Sequence, residues 1–258
     1  MKKIKISAVN YLNSKPFIYG LLNSEIKNEI DLQLDIPSVC ADKLEGNKVD
    51  IGLVPVAILP ELEEHHIISD YCIGSDGEVS SVLLLSDVPL DEIKSIHLDY
   101  QSRTSVLLAQ VLAEKFWKIK PQWVDAEEGY EAKIRGTVAG VVIGDRTFSL
   151  KNKFSYVYDL SAEWKKFTQM PFVFACWVSN KNLPQDFIQR LNDALSFGLS
   201  KREKVADNYK NEHQISFDVK DYLENKISFV FDESKKGALN LFLNYANELL
   251  ESNLMKIV

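Results

Sequence analysis

The stretch that decides the fold is IKISAV (Ile4–Val9), followed directly by YLNSKP at residues 11–16. Ile4–Val9 alternates apolar and polar residues, and this alternation predicts a β-strand. Pro16 is suited to the first turn of a helix, so we expect a helix to follow the strand. Asn13 then lies at the carboxyl end of the strand, which is where ligands bind in open α/β sheets. The start of the chain therefore predicts an α/β protein with a binding site beside Asn13.

Strands and helices continue to alternate in two series, which are separated by breaks near Pro89 and Pro171. This alternation predicts an α/β fold with mostly parallel sheets. We expect two lobes joined by two crossings of the chain, with residues 1–88 and 174–258 in lobe 1 and residues 89–173 in lobe 2. A central cleft between two lobes is a natural ligand site, and the crossings would serve as its hinge.

Three local patterns give more specific expectations about secondary structure. Residues 104–117 are expected to form one long helix with an apolar stripe. Residues 127–134 are expected to form a second helix in the same series. From Pro184 onward the sequence is expected to be helical, with the clearest periodicity over residues 239–250.

The composition of the chain limits the classes of molecule that it is expected to bind. The net charge of −7 argues against a general nucleic-acid binder, although a local pocket can still accept an anion. The first residues lack the apolar core of a secretory signal, and no stretch approaches the length that spans a bilayer. Cys40, Cys72 and Cys176 form no CxxC pair, so we expect reduced, buried thiols. These features predict a cytoplasmic protein with a small-molecule ligand and with neither nucleic-acid nor membrane partners.

Small polar residues recur where elements are expected to begin or end. Ser102-Arg103-Thr104-Ser105 opens the long predicted helix, and the free N–H groups of such a start can bind a carboxylate. Arg103 could add a bidentate contact to that carboxylate. The alternative is plain helix capping by Ser102 or Thr104, with Arg103 in solvent. Two further residues, Ser38 and Asp145, could contact a ligand, but capping of a helix is the simpler interpretation of both.

Six stretches together resemble a known family, the MqnA family of chorismate dehydratases in the futalosine route to menaquinone. They follow one another over nearly the whole chain: YLNSKP (11–16), DIGLVPV (50–56), GEVSSVLLLS (77–86), LDYQSRTS (98–105), IGD (143–145) and MPFVFACW (170–177). Each motif is weak alone, whereas six in order are specific. One departure is Gln169, at a position where the family pattern leads us to expect glycine.

The resemblance implies the two-lobed fold of type II periplasmic solute-binding proteins. It also implies a carbon–oxygen lyase that converts chorismate into 3-[(1-carboxyvinyl)oxy]benzoate and water, with no metal or organic cofactor. Carried over residue by residue, it makes Asn13 and Ser81 the catalytic residues. The residues expected to bind substrate are Ser38, Ser102, Arg103, Thr104, Ser105 and Asp145.

The chemistry of these side chains fits a dehydration. The Asn13 amide can both donate and accept, so it can orient the departing hydroxyl without titrating, although an Asx-turn or a helix cap is the structural alternative. Ser81 matches the family serine, and Ser80 is its competitor on the opposite face of the strand. No histidine falls in a family motif. We therefore expect the enolpyruvyl carboxylate of the substrate to take the proton, and His97 to be dispensable.

Two other functions remain open at this stage. The same fold could serve as a cytoplasmic small-anion binding module, in which the motifs hold a ligand without reaction. The related 1,4-dihydroxy-6-naphthoate synthase shares the fold, but the YLNSKP segment and the SRTS helix start favour the dehydratase. The oligomeric state is not indicated by the sequence.

Overall fold

The computed structural model describes residues 3–213 and 217–254, with the side chains of 252–254 left aside. The chain forms two compact units, each built around its own sheet. The first unit comprises Met1–Gly74 and Val173–Asp232, and the second comprises Ser75–Phe172 and Glu233–Val258. Both contain helices as well as strands, so the predicted α/β class is confirmed.

The bounds of the strands follow chain order. They are β1 (Ile4–Val9), β2 (Ile30–Asp35), β3 (Ile51–Pro55), β4 (His66–Ser75), β5 (Val82–Ser86), β6 (Ser95–Leu98), β7 (Gln122–Asp125), β8 (Val138–Ile143), β9 (Tyr156–Asp159), β10 (Phe172–Ser179) and β11 (Ser228–Val230).

The α-helices are numbered in the same way. They are α1 (Lys15–Leu22), α2 (Pro37–Glu45), α3 (Thr104–Leu112), α4 (Thr147–Leu150), α5 (Leu160–Thr168), α6 (Gln185–Leu199), α7 (Arg202–Glu212), α8 (Val219–Asp221) and α9 (Glu233–Leu254). None of the helices in the described ranges combines the length and apolarity needed to cross a bilayer.

The sheet of the first unit has the strand order β11-β4-β10-β3-β1-β2 within the described residues. β1 runs parallel to β2 and β3, whereas β10 is antiparallel to β3. Val9 pairs with Asp35, the last residue of β2. The segments that follow β1 and β2 therefore leave the sheet at the same edge, and this edge carries Asn13 and the start of α2.

Helices α1 and α6 pack closely in this unit because each has a glycine at the crossing. A Cβ on Gly20 would lie 2.0 Å from the Ala194 carbonyl oxygen, and one on Gly198 would lie 2.0 Å from the Pro16 carbonyl oxygen. Backbone cannot yield at such distances, so only glycine fits at either position. This crossing fixes α1, which directly follows Asn13, against the rest of the first unit.

The sheet of the second unit has the order β7-β6-β8-β5-β9 in the described part of the chain. β6 is parallel to β7 and β8, and β5 is antiparallel to β8 and β9. The carboxyl ends of β6, β8 and β9 and the amino end of β5 therefore share one edge. Trp164, Phe172 and Phe242 pack edge to face in the core of this unit and bring α9 onto it.

The boundaries between the units differ from those expected for the lobes. β5 belongs to the second unit because it pairs with β8 and β9, and α9 belongs there because Phe242 packs on Trp164. Residues 75–88 and 233–258 are thus separated from the predicted first lobe. The chain passes between the units three times, after Gly74, Phe172 and Asp232, rather than twice.

Three local predictions also need correction. The long helix expected over 104–117 is α3 followed by a π-helical turn, Ala113–Trp117, which ends at Lys118 in a left-handed conformation. The helix expected over 127–134 is only the 3-10 turn Tyr130–Lys133, since Gly129 precedes it with φ of +84° and cannot continue a helix. β11 lies in the region expected to be helical, paired with the edge of β4.

Candidate functional site

The sheet edge of the second unit brings several predicted site residues together. Ser81 directly precedes β5 and is 2% exposed, and its carbonyl oxygen accepts the N–H of Gly144 at 2.9 Å. Val82 pairs with Ile143, so the start of β5 and the end of β8 are adjacent. Ser81 and Asp145 therefore belong to neighbouring segments at one edge of the sheet.

The turn before Ser81 is strained and tightly held. Ser80 has φ of +62°, a left-handed conformation that costs a non-glycine residue about 1–2 kcal/mol. The N–H groups of Val79 and Ser80 both donate to Asp159 Oδ2, at 3.0 and 2.6 Å. The Ser80 hydroxyl donates to Glu78 Oε1 at 2.5 Å. Both the N–H and the hydroxyl of Ser80 therefore form hydrogen bonds within the protein. Ser81 is the better candidate for a ligand contact.

Asp159 connects this turn to helix α5. Its Oδ1 accepts the N–H groups of Ser161 and Ala162 at 3.1 and 3.0 Å, so it caps the helix while Oδ2 holds the turn. Burial raises the pKa of Asp159 from 3.8 to about 6, although the backbone N–H groups that it accepts oppose the shift. The order of the segment before Ser81 therefore depends on a carboxyl group that titrates near pH 6.

The loop after β6 carries the second group of candidates and is organised by Asp99. The buried Asp99 carboxylate accepts the N–H of Gln101 at 3.0 Å and that of Ile143 at 2.9 Å, while its carbonyl accepts the Ser102 N–H at 3.1 Å. Because Ile143 ends β8, these contacts tie the loop between β6 and α3 to the segment containing Gly144 and Asp145.

The start of α3 fits the capping interpretation for one of its residues. The Ser102 hydroxyl accepts the Ser105 N–H at 2.9 Å and so satisfies one donor of the first turn. Thr104 and Ser105 are 2% and 3% exposed, and Arg103 is half-buried. Ser102 therefore shapes the helix start as an acceptor, and binding of a carboxylate at this start, with the Ser102 O–H as a donor, stays a prediction.

Arg146 is a prominent side chain at this edge that the sequence did not single out. Its guanidinium is ion-paired with Asp99 and Glu131, and its Nε–H donates to the Ile143 carbonyl at 3.2 Å. The rings of Tyr100 and Tyr130 lie on it, with centroids 5.6 and 5.7 Å from the guanidinium carbon.

Sequence signals for this cluster exist but are individually weak. Asp99 directly follows a strand, at the edge where ligands are expected, and Arg146 follows the IGD motif. An aspartate or an arginine at such a position can form a buried ion pair or can be a solvated charge in a loop. The sequence alone does not distinguish the two.

The corresponding edge of the first unit holds Asn13 in the 3-10 turn Leu12–Ser14. Asn13 is half-buried, and its Oδ1 accepts the Ser14 hydroxyl at 3.1 Å. Its amide nitrogen has no protein partner among the described residues. The side chain does not cap helix α1, so its donor group is available to a ligand.

Ser38 occupies the second position of helix α2 on the same edge. The helix begins at Pro37 with Ile36 as its N-cap, and no side chain accepts a capping hydrogen bond. The expected capping role of Ser38 is therefore wrong. Within the described ranges its half-buried hydroxyl makes no hydrogen bond, which leaves it available to a ligand.

A polar network beneath this edge fixes α2 on the sheet. The Lys43 ammonium on α2 lies 2.6 Å from Asp35 Oδ2, and the buried Ser7 hydroxyl donates to the same oxygen at 2.7 Å. Lys43 also donates to the Gln33 side chain at 2.8 Å. These bonds link β1, β2 and α2, so they set the position of Ser38 relative to the end of β1.

His97 lies within β6 rather than at its end. Burial, followed by the nearby Lys133, lowers its pKa below the usual range of histidine. Its Nδ1 is buried without a hydrogen-bond partner in the described part of the chain. No three His, Cys, Asp or Glu side chains among the described residues are grouped as metal ligands.

Solved structures define the fold class. A protein from Archaeoglobus fulgidus superposes with a TM-score of 0.70 at 14% identity, covering 98% of each chain. A Candida albicans gene product described as exhibiting the generic periplasmic binding protein fold superposes with a TM-score of 0.62 at 14% identity, covering 98% of this chain and 96% of its own. The chain therefore has a periplasmic-binding-protein-like fold.

The family follows from the sequence of the chain. A family model described as menaquinone biosynthesis matches residues 4–248, so the chain belongs to that family. The chain is also similar to a chorismate dehydratase from Thermus thermophilus, with 29% identity over 161 residues that cover 55% of this chain. The match spans 58% of the length of that relative.

Proposed function

We propose that the protein is a chorismate dehydratase, a carbon–oxygen lyase that forms 3-[(1-carboxyvinyl)oxy]benzoate and water. The observation that carries this proposal is the similarity to the Thermus thermophilus enzyme within the menaquinone biosynthesis family. The proposed location is the cytoplasm, which is supported by the three buried cysteines, all of them free thiols.

The available polar groups support an elimination assisted by neutral side chains. Loss of water breaks the bond from the ring carbon to the hydroxyl oxygen and the C–H bond of the neighbouring ether-bearing carbon. The C–H bonding pair becomes the new ring double bond, and the product is aromatic. The Asn13 amide nitrogen, which has no protein partner in the described part of the chain, would donate to the departing hydroxyl oxygen.

We propose substrate contacts for the candidate residues at the sheet edge of each unit. Ser81 would bind a substrate oxygen as a second catalytic contact, with its position fixed through the bond between its carbonyl and the Gly144 N–H. The contacts to the carboxylates and the ring are proposed for the remaining candidates, which are Ser38, Ser102, Arg103, Thr104, Ser105 and Asp145.

The proton is proposed to move to the substrate's own enolpyruvyl carboxylate. His97 is proposed to take no part, because it lies within β6, paired with Val124 and Gly140, and its Nδ1 is buried without a hydrogen-bond partner in the described part of the chain. In this scheme the protein folds and orients the substrate, and the carboxylate takes the proton from the ether-bearing carbon and passes it to the departing hydroxide, which leaves as water.

The test is incubation of purified protein with chorismate, followed by mass spectrometry and ultraviolet absorbance. We expect one product that has lost a single water and has gained an aromatic spectrum. Thermal stabilisation by chorismate without loss of water would contradict an enzymatic role and favour a small-anion binding module. Conversion of cyclic dehypoxanthinyl futalosine instead would favour the naphthoate synthase.

A further inference from the structure

We propose that Arg146, held by Asp99, is a positioning residue that keeps the Ser102–Ser105 segment and the Gly144–Asp145 segment in one fixed arrangement. This inference rests on the proposed function insofar as it assigns substrate contacts to those two segments. It adds two residues that are not among the predicted site residues: Arg146, which follows the IGD motif, and Asp99, which lies within the LDYQSRTS motif.

The connection runs through a short series of hydrogen bonds. Arg146 is bonded to both the Ile143 carbonyl and the Asp99 carboxylate, while Asp99 accepts the Ile143 N–H. From Asp99 the series continues through the Ser102 N–H to the Ser102 hydroxyl, which accepts the Ser105 N–H. Removal of Arg146 therefore perturbs α3 at a distance in sequence, through Asp99.

The guanidinium is placed for support rather than for ligand contact. Each of its three nitrogens already donates within the unit, to the Ile143 carbonyl, to Glu131 and to Asp99. Tyr100 and Tyr130 cover it at cation–π distances, and Tyr130 is itself fixed by a hydrogen bond from its hydroxyl to the Val141 carbonyl. Such a planar group, bonded through each of its nitrogens, holds its partners at set angles, which a lysine cannot do.

Charge gives Arg146 a second effect. The Asp99 side chain is fully buried and Glu131 is 17% exposed, so the pair would repel an anionic substrate if left uncompensated. The positive charge of Arg146 compensates one of these two negative charges. A neutral replacement should therefore weaken anion binding as well as loosen the two segments.

Hydrogen–deuterium exchange tests the coupling without any substrate. In R146Q we expect amides in residues 99–107 and in 143–148 to exchange about tenfold faster than in the wild type, with the rest of the chain unchanged. In R146K, which keeps the charge but loses the planar fork, we expect a smaller increase in the same two segments. Faster exchange confined to 143–148, or spread evenly over the whole chain, would overturn the proposal.

Steady-state kinetics with chorismate tests the consequence for binding. For R146Q and D99N we expect KM to rise about tenfold or more, with kcat within about threefold of the wild type, because ground-state contacts are lost. R146K should lie between R146Q and the wild type. An unchanged KM in a folded R146Q would contradict the role of Arg146.

R190Q is the matched control variant. Arg190 also pairs with two carboxylates, those of Glu29 and Asp186, but it is exposed, and Glu29 directly precedes β2, at the sheet edge opposite Asn13. Its KM and its exchange in 99–107 should equal those of the wild type. If the wild type itself fails to convert chorismate, the proposed function fails, and the exchange experiment alone decides the positioning role.

Discussion

The two sheet edges that carry the candidate residues differ in how fully their polar groups are satisfied. At the edge of the second unit, Asp99, Asp159 and Arg146 each bond to three or more partners, and the segments between them are pinned. At the edge of the first unit, the Asn13 amide nitrogen and the Ser38 hydroxyl have no partner among the described residues. One edge is preorganised, and the other presents free hydrogen-bonding groups.

Under the proposed function, this difference predicts different roles for the candidate residues at the two edges. Groups that must respond to a departing hydroxyl need free donors, because a donor already bonded to protein gains little in the transition state. Groups that orient carboxylates need fixed geometry more than freedom. We therefore expect substitutions at the first edge to lower kcat and those at the second edge to act through binding and stability.

Asn13→Ala should give the largest effect on turnover. Loss of a donor aimed at the departing oxygen is expected to lower kcat by about 10²–10³-fold, or about 3–4 kcal/mol. The measurement is steady-state dehydration of chorismate. Asn10→Ala is the matched control, since Asn10 is exposed in the same connection and its side-chain oxygen accepts a hydrogen bond from the Lys15 ammonium at 2.8 Å. Full turnover in Asn13→Ala would remove the distinction between the two edges.

Asp159 provides the next largest expected effect, this time on stability. Its folded pKa of about 6 lies above its ordinary 3.8, so the folded state binds more protons between these values. The free energy of unfolding should therefore fall as pH rises from about 4 to about 6, by about 2 kcal/mol after allowance for partial exposure.

Denaturant unfolding of the wild type and of Asp159→Asn across this pH range isolates that contribution. The stability of the wild type relative to the variant should decline between pH 4 and 6, because the amide does not titrate. A flat difference would show that the four N–H groups bonded to Asp159 fully compensate its burial. The ionised Asp159 carboxylate would then be better stabilised by its hydrogen bonds than its raised pKa indicates.

Ser81→Ala and Ser80→Gly form a pair that compares two neighbouring hydroxyls at the second edge. Ser81→Ala is expected to lower kcat/KM about tenfold, the loss of one hydrogen bond to substrate. Ser80→Gly should change kcat/KM by less than about threefold, since its hydroxyl serves Glu78 and glycine suits its φ of +62°. The reverse result would assign the ligand contact to Ser80 and contradict the family match at Ser81.

Much of the fold could be predicted because local pattern and local structure coincide. β1 has the bounds, Ile4–Val9, that the alternation of apolar and polar residues predicts. The assignment of α9 could not be predicted, since periodicity shows that a helix has a buried face but not which sheet covers it. The short strand β11 was missed because three residues carry too little pattern to stand out between helices.

The candidate site was predictable to a different degree at each edge. Asn13 and Ser81 could be named because they sit in motifs at strand ends, where ligands bind. The contacts of Arg146 could not, because they join residues 99, 131 and 146, and nothing in a single sequence pairs charges across such separations. A preorganised edge is built from such long-range contacts, so it is inherently less visible in the sequence than a free side chain.

Gln169 gives the smallest expected effect and tests whether strain at the second unit is functional wherever it occurs. It ends α5 with φ of +62°, the same left-handed conformation as Ser80, at the position where the family resemblance led us to expect glycine. Unlike Ser80, it adjoins none of the candidate residues. Gln169→Gly should therefore raise the free energy of unfolding by about 0.5–1 kcal/mol, because relief of the Cβ clash exceeds the added entropy of the unfolded chain.

Gln169→Ala is the control, because it keeps the Cβ while it removes the bond from the Gln169 amide to the Lys166 carbonyl at 3.1 Å. Thermal unfolding of the three proteins should rank the glycine variant above the wild type and the alanine variant at or below it, with kcat unchanged in all. A loss of kcat in Gln169→Gly would mean that strain at the end of α5 also reaches the sheet edge. The left-handed conformation of Gln169 would then contribute, like that of Ser80, to the fixed geometry of the sheet edge.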